Sequence, residues 1–413
     1  MTVKIPVLFL LCLFVLAPLP AQVPPDLPEL LRPALAGAPE PVSRAVVLMD
    51  AASGTVLYAK NPGEVIPPAS LTKLMTMHIV LEEAAAAGLS LDDPFSPPRE
   101  SWAVNQPPRS SLMFLAAGQR LSLRELLLGL AVPSGNDAAV AAALRFFPTV
   151  EDFTARMNAE ARRMGLANTR FVEPSGISEH NRTTAGDFAR FCREYLRLHP
   201  ENLKNFHSVQ EFAYPKAENV REAFRDNPQT INQANRNGLL KTFPGVDGLK
   251  TGYIDEAGYN IALTAGREET RFILVILGAP ARPNGDRIRD ADGERLLAWA
   301  FDSFRTIRPA VGDPEPARLW KGKTNRIHLV PAGTAAFTAP LGRGHSLWLS
   351  TELQDPIVAP VPAGRVLGSL IISDEQGELH RIPLASAEAG ERGGFFRRLW
   401  DSIRLFFRRI GTG

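Results

Sequence analysis

Cysteine is nearly absent from this chain of 413 residues. The chain has only Cys12, inside an apolar run at the N-terminus, and Cys192. If that run is removed during export, Cys192 is left alone and no internal disulfide can form. The fold must then depend on its core, and a hydrophobic content of 45% suffices for that at this length.

Patterns for metal, nucleotide or nucleic-acid binding are also missing. The seven histidines show no spacing typical of metal ligands, and there is no phosphate-binding glycine loop. The net charge is +2, but residues 391–413 carry +4 and Lys4 adds +1, so the body of the chain carries −3. A nucleic-acid-binding protein would have its basic surface on the fold. We therefore expect no metal, no cofactor and no nucleic-acid partner.

Hydrophobic stretches long enough to cross a membrane are lacking as well. The apolar run from Ile5 to Leu19 is 15 residues long, contains two prolines and follows Lys4. A transmembrane anchor is the alternative, but a span needs about 20 apolar residues. Residues 1–21 are therefore predicted to be a secretory signal peptide, with Ala21-Gln22 as the cleavage point.

The rest of the chain contains both strand and helix patterns. Two β-rich runs between residues 45 and 59 indicate a hairpin, and strand patterns return between 246 and 279. Because helices fill the region between these strands, we predict an α/β fold whose sheet pairs strands distant in sequence. The predicted helices cover residues 70–87, 121–130, 136–147, 150–164, 184–198 and 290–305. The predicted segments are a spacer at 22–42, a catalytic domain at 43–308, a small β-rich domain at 309–388 and a tail at 389–413.

The tail has a strongly two-sided pattern. Such a helix, aromatic on one face and rich in arginine on the other, is typical of a membrane interface. Residues 395–410 are therefore predicted to bind a membrane surface, and the alternative is a helix docked on its own domain. The apolar face consists of Phe395, Phe396, Leu399, Trp400, Ile403, Phe406, Phe407 and Ile410.

Three short motifs follow one another in a fixed order. They are Ser70-Leu71-Thr72-Lys73, Ser134-Gly135-Asn136 and Lys250-Thr251-Gly252. By chance, a chain of this length should contain about one S-x-x-K and about 0.1 of each of the other two. The combination, in this order, is the signature of penicillin-binding proteins and class A β-lactamases.

The first motif can supply an activated nucleophile. A serine hydroxyl needs an adjacent base, and residues i and i+3 share one face of a helix. Lys73 can act as that base if burial or a second cation such as Lys250 lowers its pKa. The alternatives are an N-cap role for Ser70 and a solvated charge for Lys73, although the helix around Lys73 is very apolar.

The other two motifs can supply a proton relay and a binding edge. Ser134 could relay a proton and Asn136 could hold a substrate amide, or the pair could form only a turn with a helix cap. Lys250-Thr251-Gly252 lies in a β-type run, where a strand edge can bind an extended peptide. The backbone amides of Ser70 and Tyr253 would form the oxyanion hole if this strand runs beside the helix.

Together these motifs resemble those of the serine-type D-alanyl-D-alanine carboxypeptidases, the low-molecular-mass penicillin-binding proteins. The resemblance implies a β-lactamase-like catalytic domain of antiparallel sheet and helices, then a β-rich stalk and a C-terminal helix on the outer face of the cytoplasmic membrane. It is also carried by residues 110–115, 165–169, 235–240, 247–249 and 257–260.

The resemblance also assigns roles to individual residues. Ser70 would be acylated by the peptidoglycan stem peptide or by β-lactams, with Lys73 as base and Ser134 and Asn136 completing the shuttle. The binding edge would be lined by Lys250, Thr251 and Gly252, and Arg289 matches a family arginine thought to help hold the substrate carboxylate. Tyr253 departs from the histidine of the best-known members.

The sequence leaves three alternative functions open. A class A β-lactamase needs a glutamate-activated water, and the nearest glutamate, Glu173, only precedes a proline. A crosslink-cleaving endopeptidase would use the same residues. A weakly catalytic protein that binds the cell wall is the alternative from another class.

Overall fold

The computed structural model describes residue 24 and residues 27–411, so the predicted signal peptide lies outside the described residues. The helices of this part are α1 Thr72–Ala86, α2 Leu123–Ala131, α3 Asn136–Phe146, α4 Val150–Arg163, α5 Ala185–Leu198, α6 Leu239–Thr242, α7 Gly285–Ser303 and α8 Phe395–Gly411. Its strands are β1 Ala45–Asp50, β2 Val56–Lys60, β3 Pro94–Phe95, β4 Leu121–Ser122, β5 Glu211–Tyr214, β6 Ile231–Ala234, β7 Val246–Ile254, β8 Gly258–Arg267, β9 Thr270–Ala279, β10 Phe304–Ile307, β11 Ala317–Trp320, β12 Arg326–Ile327, β13 Leu329–Pro331, β14 Phe337–Pro340, β15 Trp348–Leu353, β16 Ile357–Val358, β17 Val366–Asp374 and β18 Gly377–Ser386.

The central sheet joins the two ends of the catalytic region. Its strand order among the described residues is β2-β1-β9-β8-β7, and every pairing is antiparallel. Val47 pairs with Ala59 in the first hairpin and with Val275 from the far end of the region. The predicted α/β fold with sequence-distant strand pairs is confirmed. Because β7 is the last strand in this order, one of its edges is left for a ligand.

The first part of helix α1, residues 72–80, is fully buried, as the apolar sequence after Ser70 predicts. Leu74, Met75 and Ile79 pack with the sheet and α5. Met77 and Val80 pack with α2 and α3 on the other side. A helix that is apolar all round belongs inside a protein, and its one lysine is therefore buried with it.

The segment predicted to be a spacer packs on the fold where the structure describes it. Residues Glu29–Gly37 form a 3₁₀ helix. Leu27 and Leu31 are buried in the same cluster as Tyr58, and Trp299 donates a hydrogen bond to the carbonyl of Ala34 at 3.3 Å. The leucines of this stretch therefore complete the apolar face of the sheet.

The end of the last predicted helix also differs. Helix α7 begins at Gly285 rather than at 290, and the chain turns to strand at Phe304. Strand β10 pairs with β14, which belongs to the later β-rich region. Buried Asp50 accepts hydrogen bonds from the hydroxyls of Thr306 and Thr338 at 2.7 and 2.9 Å. The two regions are therefore joined by a sheet and by buried polar contacts.

The β-rich region carries the terminal helix. Its largest sheet among the described residues has the order β13-β18-β17-β15, and a smaller sheet has the order β12-β11-β16. Helix α8 contacts the connection between β11 and β12 through polar groups. Asp401 accepts a hydrogen bond from the Lys321 amide at 2.7 Å, and Arg397 donates to the Lys323 carbonyl at 3.0 Å. The aromatic face stays outside, with Phe396 84% exposed. In the described part of the chain, no helix is both long and apolar enough to cross a membrane.

Candidate active site

Ser70 lies in a tight turn that leads into α1. The 3₁₀ turn Ala69–Leu71 runs directly into the helix, and the N-cap positions of the two elements are Pro68 and Leu71. Ser70 is therefore not a helix cap, which removes one alternative from the sequence analysis. The i, i+3 spacing places the Lys73 amine on the same side, with Nζ 3.1 Å from Ser70 Oγ.

Lys73 is buried and fully hydrogen-bonded. Besides Ser70 Oγ, its Nζ donates to Asn136 Oδ1 at 2.7 Å and to the carbonyl of Ser175 at 2.6 Å. Burial lowers the pKa of Lys73 to about 7, although the carboxylate of Glu173 opposes this shift. Lys73 is therefore not a solvated charge. Near neutral pH a substantial fraction is uncharged and can accept the Ser70 proton.

The second motif forms the turn between α2 and α3. Ser134 is buried, lines the cleft and has a φ of +65°. Gly135 has no room for a side chain, since a Cβ there would lie 2.6 Å from Asp137 Oδ1 and 2.9 Å from the amide of Met113. Asn136 begins α3, and its side chain reaches Lys73. This tight turn brings both polar residues to the first motif.

Asp137 is a supporting residue that the sequence analysis did not identify. Its buried carboxylate accepts hydrogen bonds from the amides of Met113, Phe114 and Leu115 at 2.8, 2.8 and 3.0 Å. Burial raises the pKa of Asp137, and these amide donors oppose that rise. The interaction fixes the segment before α2 against the start of α3. Its sequence signal is an aspartate directly after the Ser-Gly-Asn motif.

A loop supports Lys73 from the other side. Glu173 accepts hydrogen bonds from the Ser175 amide at 2.6 Å, the Gly176 amide at 2.7 Å and Asn181 Nδ2 at 2.7 Å. Gly176 has a φ of +82°, and a Cβ there would lie 1.8 Å from the carbonyl of Ala69. This loop holds the Ser175 carbonyl on Lys73. The partners of the Glu173 carboxylate belong to the loop itself, which is unlike a glutamate that activates water.

The third motif lies on the edge strand β7, beside the serine turn. A Cβ at Gly252 would lie 2.9 Å from the Pro68 carbonyl and 3.0 Å from the Ser70 amide. Lys250 is buried and donates to the carbonyl of Thr251 at 3.0 Å. Burial, and then the nearby cations, lower the pKa of Lys250 well below its usual value. The strand therefore runs beside the helix, as the predicted oxyanion hole requires.

Tyr253 stands at the mouth of the cleft. Its side chain is 42% exposed, and its ring centroid lies 4.3 Å from that of Tyr259. Its hydroxyl donates to Asp255 at 2.5 Å, and this hydrogen bond raises the pKa of Tyr253 to about 12. The residue that departs from the family pattern is therefore a neutral aromatic wall near neutral pH.

The cleft also contains more arginine than the sequence analysis singled out. Arg289 lies on α7, is buried and pairs with Asp290 at 2.7 Å. Arg236 and Arg109 also line the cleft, and burial lowers the pKa of Arg236. Arg236 was noted only as part of a family motif. These cations make the site attractive to a ligand with a carboxylate.

The cleft has a volume of about 560 Å³ and brings most of the predicted residues together. A serine next to a buried amine, an edge strand and a cationic wall define an active-site-serine enzyme that acts by acyl transfer. The cleft is lined by Ser70, Arg109, Ser111, Ser134, Arg236, Gly238, Thr251, Gly252, Tyr253, Tyr259, Asp286, Arg289 and Asp290.

The chain belongs to the D-alanyl-D-alanine carboxypeptidase family, peptidase family S11, whose model matches residues 33–281. A second model, the C-terminal domain of penicillin-binding protein 5, matches residues 306–392. D-alanyl-D-alanine carboxypeptidase DacC of Escherichia coli K12 is 35% identical over 379 residues, which cover 90% of each chain. The family resemblance drawn from the motifs is therefore confirmed, and the protein is a serine-type carboxypeptidase.

Similar solved structures belong to penicillin-binding proteins as well. Penicillin binding protein 5 from Haemophilus influenzae is similar with a TM-score of 0.73 and 31% identity, covering 86% of this chain and 99% of that one. Penicillin-Binding Protein D2 from Listeria monocytogenes, solved in its cefotaxime-bound form, gives a TM-score of 0.54 at 28% identity. That match covers 64% of this chain and 98% of the other. The predicted combination of a β-lactamase-like domain, a β-rich domain and a terminal helix is confirmed.

Proposed function

We propose that this protein removes the terminal D-alanine from peptidoglycan pentapeptides through an acyl-enzyme on Ser70. The contact of 3.1 Å between Ser70 Oγ and the buried amine of Lys73 carries the proposal. Neutral Lys73 takes the hydroxyl proton while Oγ attacks the carbonyl carbon of the penultimate D-alanine. The amides of Ser70 and Tyr253 stabilise the oxyanion.

Lys73 gives a proton to the leaving amine and later takes one from the attacking water. When the tetrahedral intermediate collapses, the C–N bond breaks and the leaving amine takes a proton from Lys73, relayed through Ser134. Water then attacks the acyl carbon while Lys73 accepts its proton, and Lys73 returns that proton to Ser70 Oγ as the acyl C–O bond breaks. Asn136 holds the substrate amide and also the Lys73 amine.

The substrate lies along the free edge of β7. Its backbone adds to the strand, and Gly252 allows this close approach. Its terminal carboxylate binds at Lys250 and Thr251, with Arg289 nearby. β-Lactams acylate the same serine because they present a similar carboxylate and a strained amide.

The test uses purified protein, a pentapeptide and a labelled penicillin. D-Alanine release and a penicilloyl adduct mapped to Ser70 are expected, and Ser70→Ala should lose both. Ser90→Ala, on the surface, serves as the control and should keep both. If the Ser70→Ala protein still labels with penicillin, the assignment is wrong.

The same preparation separates the remaining alternatives. Crosslinked peptide tests for endopeptidase activity, and β-lactam turnover tests for a β-lactamase. We expect slow turnover, since the Glu173 carboxylate is engaged by its own loop. An adduct without D-alanine release would favour the weakly catalytic, wall-binding alternative.

We also propose that α8 holds the exported enzyme on the periplasmic face of the cytoplasmic membrane. The helix contacts its own domain through Asp401 and Arg397, so its aromatic face is left for the lipid. Exposed apolar residues on α8 are Phe395, Phe396, Leu399, Trp400, Ile403, Phe406 and Phe407.

Vesicle flotation tests this anchor. Deleting residues 395–413, or changing Phe396 and Phe407 to serine together, should release the protein from anionic lipid vesicles. Asp401→Ala removes a domain contact but keeps the aromatic face, so that variant should still float. Unchanged flotation after the deletion would refute the proposal.

A further inference from the structure

A cluster of metal-ligand side chains lies away from the cleft, on the later part of α1. His78 Nδ1 is 2.8 Å from Nε2 of His199, which follows the end of α5. Glu82, one turn after His78, places Oε1 3.9 Å from the same His199 nitrogen. One ligand atom from each of the three residues lies within 4.8 Å of the others. We propose that His78, Glu82 and His199 bind one Zn²⁺ ion.

The carboxylate of Glu160 orients His78 for metal binding. Its Nε2 lies 3.1 Å from Oε1 of Glu160, whose side chain is 4% exposed. A carboxylate accepts this hydrogen bond, so a neutral His78 carries its proton on Nε2 and directs the Nδ1 lone pair toward His199 and Glu82. In histidine ligands of metals, the N–H of the other ring nitrogen commonly donates a hydrogen bond to a carboxylate in this way.

The ligand set favours zinc over the common hard cations. Two imidazoles and one carboxylate suit Zn²⁺, whereas Mg²⁺ and Ca²⁺ bind mainly through oxygen. With ligand bonds of about 2.0–2.1 Å, two tetrahedral ligand atoms lie about 3.3 Å apart. The 2.8 Å contact must therefore open by about 0.5 Å and the 3.9 Å contact must close by a similar amount. His199 would move its proton to Nδ1 so that Nε2 can bind the metal.

Glu82 gives the ion access from solvent and supplies a negative charge to bind it. The side chain of Glu82 is 43% exposed, so an ion can enter from solvent, whereas both histidines are buried. Glu160 is paired with Arg156 and Arg163, so its charge is already compensated and Glu82 supplies the ligand charge. A bound ion would join α1, the helix that carries Lys73, to the end of α5.

The spacing of the histidines along the sequence does not indicate this site. His78 and Glu82 are an i, i+4 pair on one helix face, which is a suitable spacing for two ligands. The third ligand lies far along the chain, and only the packing of α5 on α1 brings it close.

The test is zinc binding to the untagged full protein, followed by calorimetry and X-ray absorption. One Zn²⁺ per chain with two imidazole ligands is expected, and saturating zinc should raise Tm by about 5 °C. Glu82→Gln should weaken binding by about tenfold or more, and its exposed position allows the variant to fold. His199→Gln should abolish the binding, and His345→Gln, an exposed histidine elsewhere, should keep it.

Two outcomes would overturn the proposal. One is the absence of a bound ion at micromolar zinc, which would make the cluster a buried hydrogen-bond network between helices. The other is equal binding by wild type, Glu82→Gln and His199→Gln, which would place the zinc on other surface groups. D-Alanine release should be measured separately in each variant, so that loss of the zinc site is not confused with failure of the proposed activity.

Discussion

Asn136→Asp tests whether Lys73 is the base of the reaction. The two side chains have the same shape, so the 2.7 Å contact with Lys73 Nζ is kept while a carboxylate replaces a neutral oxygen. A carboxylate this close favours the ammonium form, and such partners shift pKa values by about 1–3 units. The pKa of Lys73, lowered by burial to about 7, would therefore rise.

The consequence for the rate follows from the fraction of neutral lysine. In the wild type about half of Lys73 is neutral at pH 7, and acylation should increase as pH rises through that value. A shift of about 2 units leaves about one molecule in a hundred with a neutral base at pH 7, which is a loss of about 50-fold in the acylation rate. At pH values well above the new pKa, much of the rate should return.

The assay is the acylation rate with a fluorescent penicillin between pH 5 and 10. Asn136→Ala is the matched control, since it removes the contact with the substrate amide without adding charge. That control should lower the rate at every pH and should not move the midpoint upward. If Asn136→Asp shows the same midpoint as the alanine variant, another group titrates and the reasoning fails.

Two further predictions concern packing. Gly252→Ala places a Cβ 3.0 Å from the Ser70 amide and should slow acylation by about 100-fold, whereas Gly63→Ala, with open space around it, should not; equal rates in both proteins would show that the strand can move aside. Leu31→Ala should reduce the free energy of unfolding by about 2–5 kcal/mol in urea titration, because Leu31 is fully buried. Val42→Ala, at an exposed position, should change it by less than about 0.5 kcal/mol; a similar small change for Leu31→Ala would favour the spacer interpretation.

The contact within the first motif could be predicted because it is local. Ser70 and Lys73 are three residues apart at the start of an apolar helix, so helix geometry alone predicts their contact and the burial of the lysine. Period-2 patterns also predict the strand that carries Lys250. They place this strand far along the sequence from the first hairpin.

The support around Lys73 could not be predicted in the same way. The Ser175 carbonyl and the loop held by Glu173 come from irregular backbone about a hundred residues away, where no periodicity reports a contact. Asp137 accepts hydrogen bonds from backbone amides of another loop. A sequence does not show which backbone amides need such a partner. The leucines before residue 38 lie in a stretch rich in proline, alanine and leucine, a composition that favours a spacer, and only the sheet shows what they cover.

In the mechanism that we propose, the two buried lysines beside the cleft meet opposite requirements, although burial lowers the pKa of both. Lys73 has to lose its proton to act as a base, and its contacts beyond Ser70 are neutral amide and carbonyl oxygens from Asn136 and Ser175. Lys250, on the edge strand, lacks an acidic partner among the described contacts and would gain one if a substrate carboxylate bound there. A carboxylate beside Lys73 would raise the pKa of the base and stop proton transfer. We therefore propose that the substrate places its charge toward Lys250, so that one lysine acts as the base and the other binds the carboxylate.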